Sequence, residues 1–242
     1  MKFHWVISKG NGRPYKNFVE SYKSHSIVKE RIDRNIRHID VGISEEHFWH
    51  AFVGCLLTTQ QRSGAGSRVA MFLKSNDPIL NFDYCMNEGS LTTVVGKTLS
   101  KNGLRRTDRI AEEVGHAVNW LKQHGWSSVK SQLDNISSYT TAGKERAVAR
   151  FLQEHFKGIG PKQSRNLIQW MGLSKYEIPL DSRMVKVLKV LEFPVPLSAT
   201  ALADESYYCF IEDGIQQLMK AIGVHPCVFD ACAFASFEAD SG

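Results

Sequence analysis

Apolar residues at helical spacing, broken by short polar joins, run through most of this chain. In "SEEHFWHAFVGCLLTTQQ" the positions Phe48, Trp49, Phe52, Val53, Leu56 and Leu57 recur with the helical period and make the broad stripe of a core helix. Ser44 stands where an N-cap belongs, and Glu45 and Glu46 fill the first turn. Further helices are predicted over about 66–74, 89–100, 107–124, 127–137 and 143–155. Another starts at Pro161, one opens near Asp181 and stops before "FPVP", and two more cover roughly 204–222 and 226–238. Proline or glycine with polar residues marks most joins, and Pro161 suits a first helical position. No alternating strand pattern and no internal repeat stands out, although residues 1–14 are ambiguous and leave room for a short extended piece. The pattern predicts an all-α fold.

Composition excludes more than it assigns. At 242 residues the chain is long enough for one substantial core or two modest ones around a cleft. A hydrophobic share of 43% with 23% charged residues is that of a folded protein rather than a disordered one. The five cysteines are odd in number and form no CxxC pair, and Cys55 sits inside the apolar run Phe52 to Leu57. That usage fits buried thiols in a reducing compartment, so a cytoplasmic location is expected. "MKFHWVISKGNGRP" lacks the apolar core of a signal peptide, and no apolar run approaches the ~20 residues that span a bilayer. No membrane partner is expected.

Charge changes the picture once its position is considered. The net charge of +5 is mild, but Phe156 to Leu191 holds seven Lys and Arg against Glu177 and Asp181. That one segment carries a surplus equal to that of the whole chain, which is the footprint expected of a phosphate-backbone partner. Within it, "FKGIGPKQSR" ends one predicted helix and begins the next. Gly158 and Gly160 permit unusual backbone angles and close approach, and the following helix presents unpaired N–H groups and the positive end of its dipole. The ordinary alternative is a helix-ending glycine and a plain turn. Flanking Lys157, Lys162 and Arg165 favour an anion site for one phosphate, with Ile159 turned inward to pin the two helices. Asp181 taken alone reads as the N-cap of its helix.

The two segments together resemble the helix-hairpin-helix DNA glycosylase superfamily, which includes endonuclease III and the 8-oxoguanine DNA glycosylases. That family's hairpin of glycine, apolar residue, glycine, any residue and lysine corresponds here to Gly158, Ile159, Gly160, Pro161 and Lys162. About one helix and a loop later, its aspartate corresponds to Asp181. The resemblance covers 143–191 well and 44–75 loosely, where "LLTTQQRS" is similar to a family segment whose glutamine enters the duplex. It implies two helical subdomains with a DNA-binding cleft between them; the expected division is 1–60 with 192–242 against 61–191.

For the site, the resemblance implies Lys162 as the amine that attacks the sugar, or alternatively a phosphate contact. It implies Asp181 as the carboxylate that stabilises the cationic transition state. Gln60, Gln61 and Arg62 would enter or anchor the opened duplex, Gln61 being equally well read as a solvated helix end. Lys157, Gly158, Ile159, Gly160, Arg165 and Arg183 would contact the DNA backbone. The implied activity is removal of a damaged base with strand nicking by a DNA glycosylase and AP lyase, and oxidised guanine is the best single guess. Another damaged or hypermodified base, or a non-catalytic DNA clamp, stays open. Double-stranded DNA is the expected partner, and a monomer is expected. Some relatives hold an iron–sulfur cluster on four C-terminal cysteines; Cys209, Cys227 and Cys232 have the wrong number and spacing, so none is expected. The remaining candidate cofactor is a monovalent cation at the hairpin. Glu46, His47 and His50 read better as satisfied polar residues than as metal ligands. Trp5, Trp49, Trp120, Trp126, Trp170 and Phe229 are the aromatics from which a base pocket could draw, with nothing to choose between them.

Overall fold

The computed structural model describes residues 5–7, 10–39, 42–64, 66–137 and 139–239, and among these it contains helices and loops but no strand. The thirteen α-helices are α1 (Arg13–Tyr22), α2 (Ser26–Arg31), α3 (Glu45–Leu57), α4 (Arg68–Leu73), α5 (Phe82–Asn87), α6 (Leu91–Lys101) and α7 (Thr107–His124), followed by α8 (Trp126–Asp134), α9 (Ala142–His155), α10 (Pro161–Trp170), α11 (Ser182–Val190), α12 (Glu205–Ile222) and α13 (Pro226–Ala239). Every predicted helix is present. The sequence pattern predicts none over α1, α2 and α5, and α2 and α5 at six residues each are too short to show a period. Residues 5–7 and 10–14 form no strand, 13 and 14 opening α1, and the rest of the ambiguous 1–14 stretch lies outside the described residues.

Caps set the helix starts. Ser44 Oγ accepts from His47 N, Thr141 Oγ1 from Lys144 N and Asp204 Oδ1 from Tyr207 N, each such cap stabilising its helix by about 1 kcal/mol. No single helix among the described residues is long and apolar enough to cross a membrane.

Two apolar cores divide the chain. The first runs from Phe48 to Leu173 and is centred on α3, whose Phe48 and Phe52 rings each lie 5.5 Å from Phe156. The second gathers Tyr15, Val19 and Val28 with Ile178, Leu180, Met184 and the apolar faces of α12 and α13. The division therefore falls near residues 43 and 174, not at 60 and 192. α3 is the spine of the first core and cannot leave it, while the segment from Ile178 through α11 packs its apolar residues against α13.

Charge and backbone hydrogen bonds join the cores. A turn of π-helix, Ile32–Ile36, aims buried Asn35 so that its Nδ2 donates to Gln169 O at 3.0 Å and to Ser174 O at 2.9 Å. Beyond it, the loop 174–181 is held almost amide by amide. Lys175 N, Tyr176 N and Glu177 N donate to the buried Glu145 carboxylate, Ile178 N donates to Glu212 Oε1, and Leu180 N donates to Tyr208 Oη. Residue 179 is proline and has no N–H to satisfy.

Burial pushes the Glu145 carboxyl up to about 7, against the pull of its hydrogen bonds from Glu177 N, Lys175 N, Tyr176 N and Ser174 Oγ. Both carboxylate oxygens accept backbone N–H groups, so a glutamine amide in its place would turn an NH2 donor onto another donor. Glu145→Gln is expected to lower stability by roughly 3 kcal/mol, read as a reduced midpoint in urea unfolding at unchanged slope.

Candidate active site

α9 and α10 form a helix-hairpin-helix whose turn is fixed by its glycines. Gly158 has φ of +89°, and a Cβ there would come within 2.5 Å of Glu113 Cδ and 2.8 Å of Leu56 Cδ2. Glu113 is itself buried, its Oε1 accepting from Arg109 Nε at 3.0 Å. Both the backbone angle and the packing beneath the hairpin therefore require glycine. Ile159 is buried in the first core, as the pin between the helices. Gly160 is extended and faces open space where its Cβ would lie.

Lys162, one residue into α10, makes no hydrogen bond or ion pair with any described residue, and its side chain lines a cleft of about 1380 Å³ between the cores. Burial lowers its pKa from the ordinary lysine value; Asp181 and Cys55 oppose that and Arg183 adds to it. The cause is thus burial far more than the cluster of cations in this segment, because the nearest charges are mainly acidic. Asp181 caps α11: its Oδ1 accepts Arg183 N at 2.9 Å and Met184 N at 3.0 Å. Its Oδ2 accepts the Arg183 guanidinium through Nε at 2.8 Å and Nη2 at 2.6 Å. The N-cap and the cleft carboxylate are therefore one residue, and they do not compete.

The end of α3 forms the opposite wall. Gln60 is exposed there in a left-handed conformation, φ 57°, costly for a residue with a side chain. Arg62 stands beside it, exposed and on the cleft. Gln61 is spoken for at both ends: Nε2 donates to Leu57 O at 2.6 Å and Oε1 accepts Arg105 N at 3.0 Å. It caps the helix and fastens the α6–α7 turn, so both ends of its amide are engaged within the chain.

Two other expected DNA contacts lie elsewhere. Arg165 is wholly buried, its Nε on Glu177 Oε2 at 3.0 Å and Glu212 Oε2 at 3.2 Å, with Nη1 and Nη2 each 2.9 Å from Glu205. Burial works against its charge, but Glu212 and Glu177 outweigh that and raise its pKa. It offers nothing to a phosphate. Lys157 is exposed on the outer side of the hairpin, 3.6 Å from Glu112 Oε2 and away from the cleft lining.

The cleft also holds residues that sequence reasoning passed over: Arg105, Lys186, Phe234 and Phe237. The Arg183 guanidinium lies 4.1 Å from the centre of the Phe234 ring. Of the aromatics considered from sequence, none lines the cleft; Trp49 and Phe229 are fully buried, and Trp5 stacks on Phe210 at 4.9 Å. Phe234 and Phe237 lie three residues apart on α13 and share one face of it. The cleft lining carries five cations, Arg62, Arg105, Lys162, Arg183 and Lys186, against Asp181 and Glu238. Glu46, His47 and His50 are occupied structurally, Glu46 accepting Phe82 N and the two imidazoles meeting the carbonyls of Gly42 and Leu73.

No family model and no curated protein matches this sequence. Solved structures do match in fold. An 8-oxoguanine glycosylase/lyase of Methanocaldococcus jannaschii, in complex with a 15mer DNA containing 8-oxoguanine, superposes with a TM-score of 0.65 at 16% identity, over 90% of this chain and 94% of that one. The 8-oxoguanine DNA glycosylase of Thermotoga maritima gives a TM-score of 0.65 at 17% identity, over 92% and 95%. A second structure of the M. jannaschii 8-oxoguanine DNA glycosylase gives 0.61 at 18%, over 89% of each chain. The fold is that of the 8-oxoguanine DNA glycosylases.

Removing Arg165 should therefore damage the fold itself. Arg165→Gln leaves three carboxylates facing one another in the junction, and the expected loss is roughly 3–5 kcal/mol by urea unfolding. A variant with wild-type stability would show that the junction does not depend on Arg165.

Proposed function

We propose that the protein is a DNA glycosylase with AP lyase activity, acting on a base flipped out of the duplex into the cleft. The observation that carries the proposal is Lys162: a partly buried, unpartnered amine of lowered pKa facing the same cleft as Asp181. A lysine that only held phosphate would gain from staying charged and exposed, whereas a nucleophile needs its neutral form.

The hairpin presents bare backbone at Gly160 and the amides of the first turn of α10 to a backbone phosphate. Gln60 occupies the space the extruded base leaves, with Arg62 and Arg105 toward the duplex phosphates. Asp181 holds its charge next to the sugar, where positive charge grows as the glycosidic bond stretches. The Lys162 amine adds to C1′ and the base leaves with the bonding electrons and a proton. The nitrogen lone pair then opens the sugar ring by breaking the C1′–O4′ bond, O4′ taking up a proton, and the resulting iminium acidifies the C2′ hydrogen. Loss of that proton breaks the C3′–O3′ bond, the phosphate leaves with the bonding electrons, and the strand is nicked. Oxidised guanine is the base we assign first, in keeping with the substrate named for the structural neighbours, and Phe234 and Phe237 offer ring faces for a base to stack on.

Borohydride trapping on duplexes carrying 8-oxoguanine, an abasic site, uracil, thymine glycol or glucosylated hydroxymethylcytosine tests both mechanism and base. A covalent complex is expected with the abasic and 8-oxoguanine duplexes and is lost in Lys162→Gln; no complex on the abasic duplex removes the lyase step. Release of base without trapping leaves a glycosylase that works through Asp181 and water, and neither product leaves a clamp.

The pH profile of trapping supplies an independent check. The reactive amine is neutral, so the rate rises with pH, and its limb lies below the ordinary lysine value because Lys162 is depressed. Asp181 favours the ammonium form. Asp181→Asn should move that limb to lower pH while reducing the plateau rate. Arg183→Gln removes a cation that disfavours the ammonium and should move it to higher pH.

A further inference from the structure

Gln163 follows the proposed nucleophile directly and borders the same cleft, but its side chain is buried against the end of α3. Its Nε2 lies 2.6 Å from Cys55 O and 2.5 Å from Thr59 Oγ1, so both amide protons are used across the gap between α10 and α3. Its Oε1 accepts Asn166 Nδ2 at 3.4 Å, which fixes the orientation of the amide.

The place it grips is the one that needs holding. A helix leaves its last carbonyls without partners, and here the Cys55 carbonyl is capped by Gln163 while the Leu57 carbonyl is capped by Gln61. The next residue after the gripped Thr58–Thr59 pair is Gln60, held left-handed at φ 57° with no glycine to make that cheap. A conformation of this kind persists where its surroundings over-determine it.

We infer that Gln163 is a positioning residue, which locks the α3 turn so that Gln60 projects into an opened duplex, and ties that probe to the helix carrying Lys162. Duplex opening and the chemical step then share one rigid unit. The chemical readout rests on the proposed glycosylase activity; the structural hold on the turn does not.

The test uses the full chain carrying Gln163→Met, which fills the same volume without donors, and Thr59→Val, which removes the Gln163–Thr59 bond alone from the other side. Base stacking is followed by 2-aminopurine fluorescence next to an abasic site in duplex DNA, which reports opening whether or not chemistry follows. Trapping is followed on abasic duplex and on an abasic single strand, where no stack has to open. Both variants are expected to lose the fluorescence rise and to trap abasic duplex about tenfold more slowly, close to the loss of one good hydrogen bond. Trapping on the single strand is expected to change less than about twofold. On a Gln60→Ala background neither substitution should have any further effect. Equal losses on duplex and single strand, or effects that multiply with Gln60→Ala, would overturn the inference. If the wild type opens duplexes but traps nothing, the lyase proposal fails while the fluorescence arm still judges Gln163. A variant with a collapsed circular-dichroism melt is set aside in favour of the other, since the two cut the same bond from opposite ends.

Discussion

Everything at the junction depends on buried carboxylates that accept backbone amides. The loop between α10 and α11 has no secondary structure of its own, but Glu145, Glu212 and Tyr208 bind its N–H groups nearly one by one. Glu212 and the loop's own Glu177 are in turn balanced by Arg165, and Arg146 lies within 2.9 Å of Glu177 and 2.8 Å of Asp213. Glu177 and Glu212 sit close enough to divide one proton. Burial and the neighbouring Glu177 raise Glu212, while Glu177 is lowered, the cost of its burial outweighed by Glu212, Arg165 and Arg146. A cluster this dry adds little net stability, since desolvation cancels most of the attraction. What it supplies is a single geometry, and Asp181 stands at the far end of the loop so fixed.

α10 shows how one helix serves two purposes. Lys162 and Arg165 are three residues apart, close to one turn, yet the lysine opens to the cleft and the arginine closes on the junction. Both are cations in the same sequence motif. Their difference is in partners: Arg165 has three carboxylates and stays charged, while Lys162 has burial without an ion pair and is biased toward neutrality. The planar guanidinium is suited to several simultaneous carboxylate contacts, and the amine is suited to losing its proton.

This contrast also marks the limit of what sequence could tell. Most helices and the hairpin were legible because each has a local signature, a period or a glycine spacing, whereas α1, α2 and α5 were not; Lys162 and Asp181, singled out by resemblance, line one cleft. Arg165 was misjudged because a charge count cannot see Glu205 and Glu212, some forty residues on and carried on α12. Gln61, read equally as a helix end or a duplex contact, holds the Arg105 amide on another turn, a partner no local pattern shows. The subdomain division failed where tertiary packing overrode order along the chain: α3 belongs with the helices C-terminal to it because its stripe is apolar on every useful face. Phe234 was in plain view on α13 but needed knowledge of which face of that helix meets the cleft.

The two hairpin glycines finally separate what the fold demands from what a ligand demands. Gly158 is compelled from within, by its positive φ and by Glu113 and Leu56 packed against it. Gly160 is under no such compulsion: its backbone is extended, any residue can adopt those angles, and nothing lies within 4 Å of where a Cβ would go. It borders the cleft immediately before Pro161 and Lys162, at the mouth of α10, where the amides of the first turn are without helical partners. Bare backbone at such a place costs conformational entropy and returns nothing to the folded chain alone. It has value when something outside the protein comes close to the main chain, and an anion at the start of α10 is the visitor that the amides, the dipole and the cations of the cleft all favour.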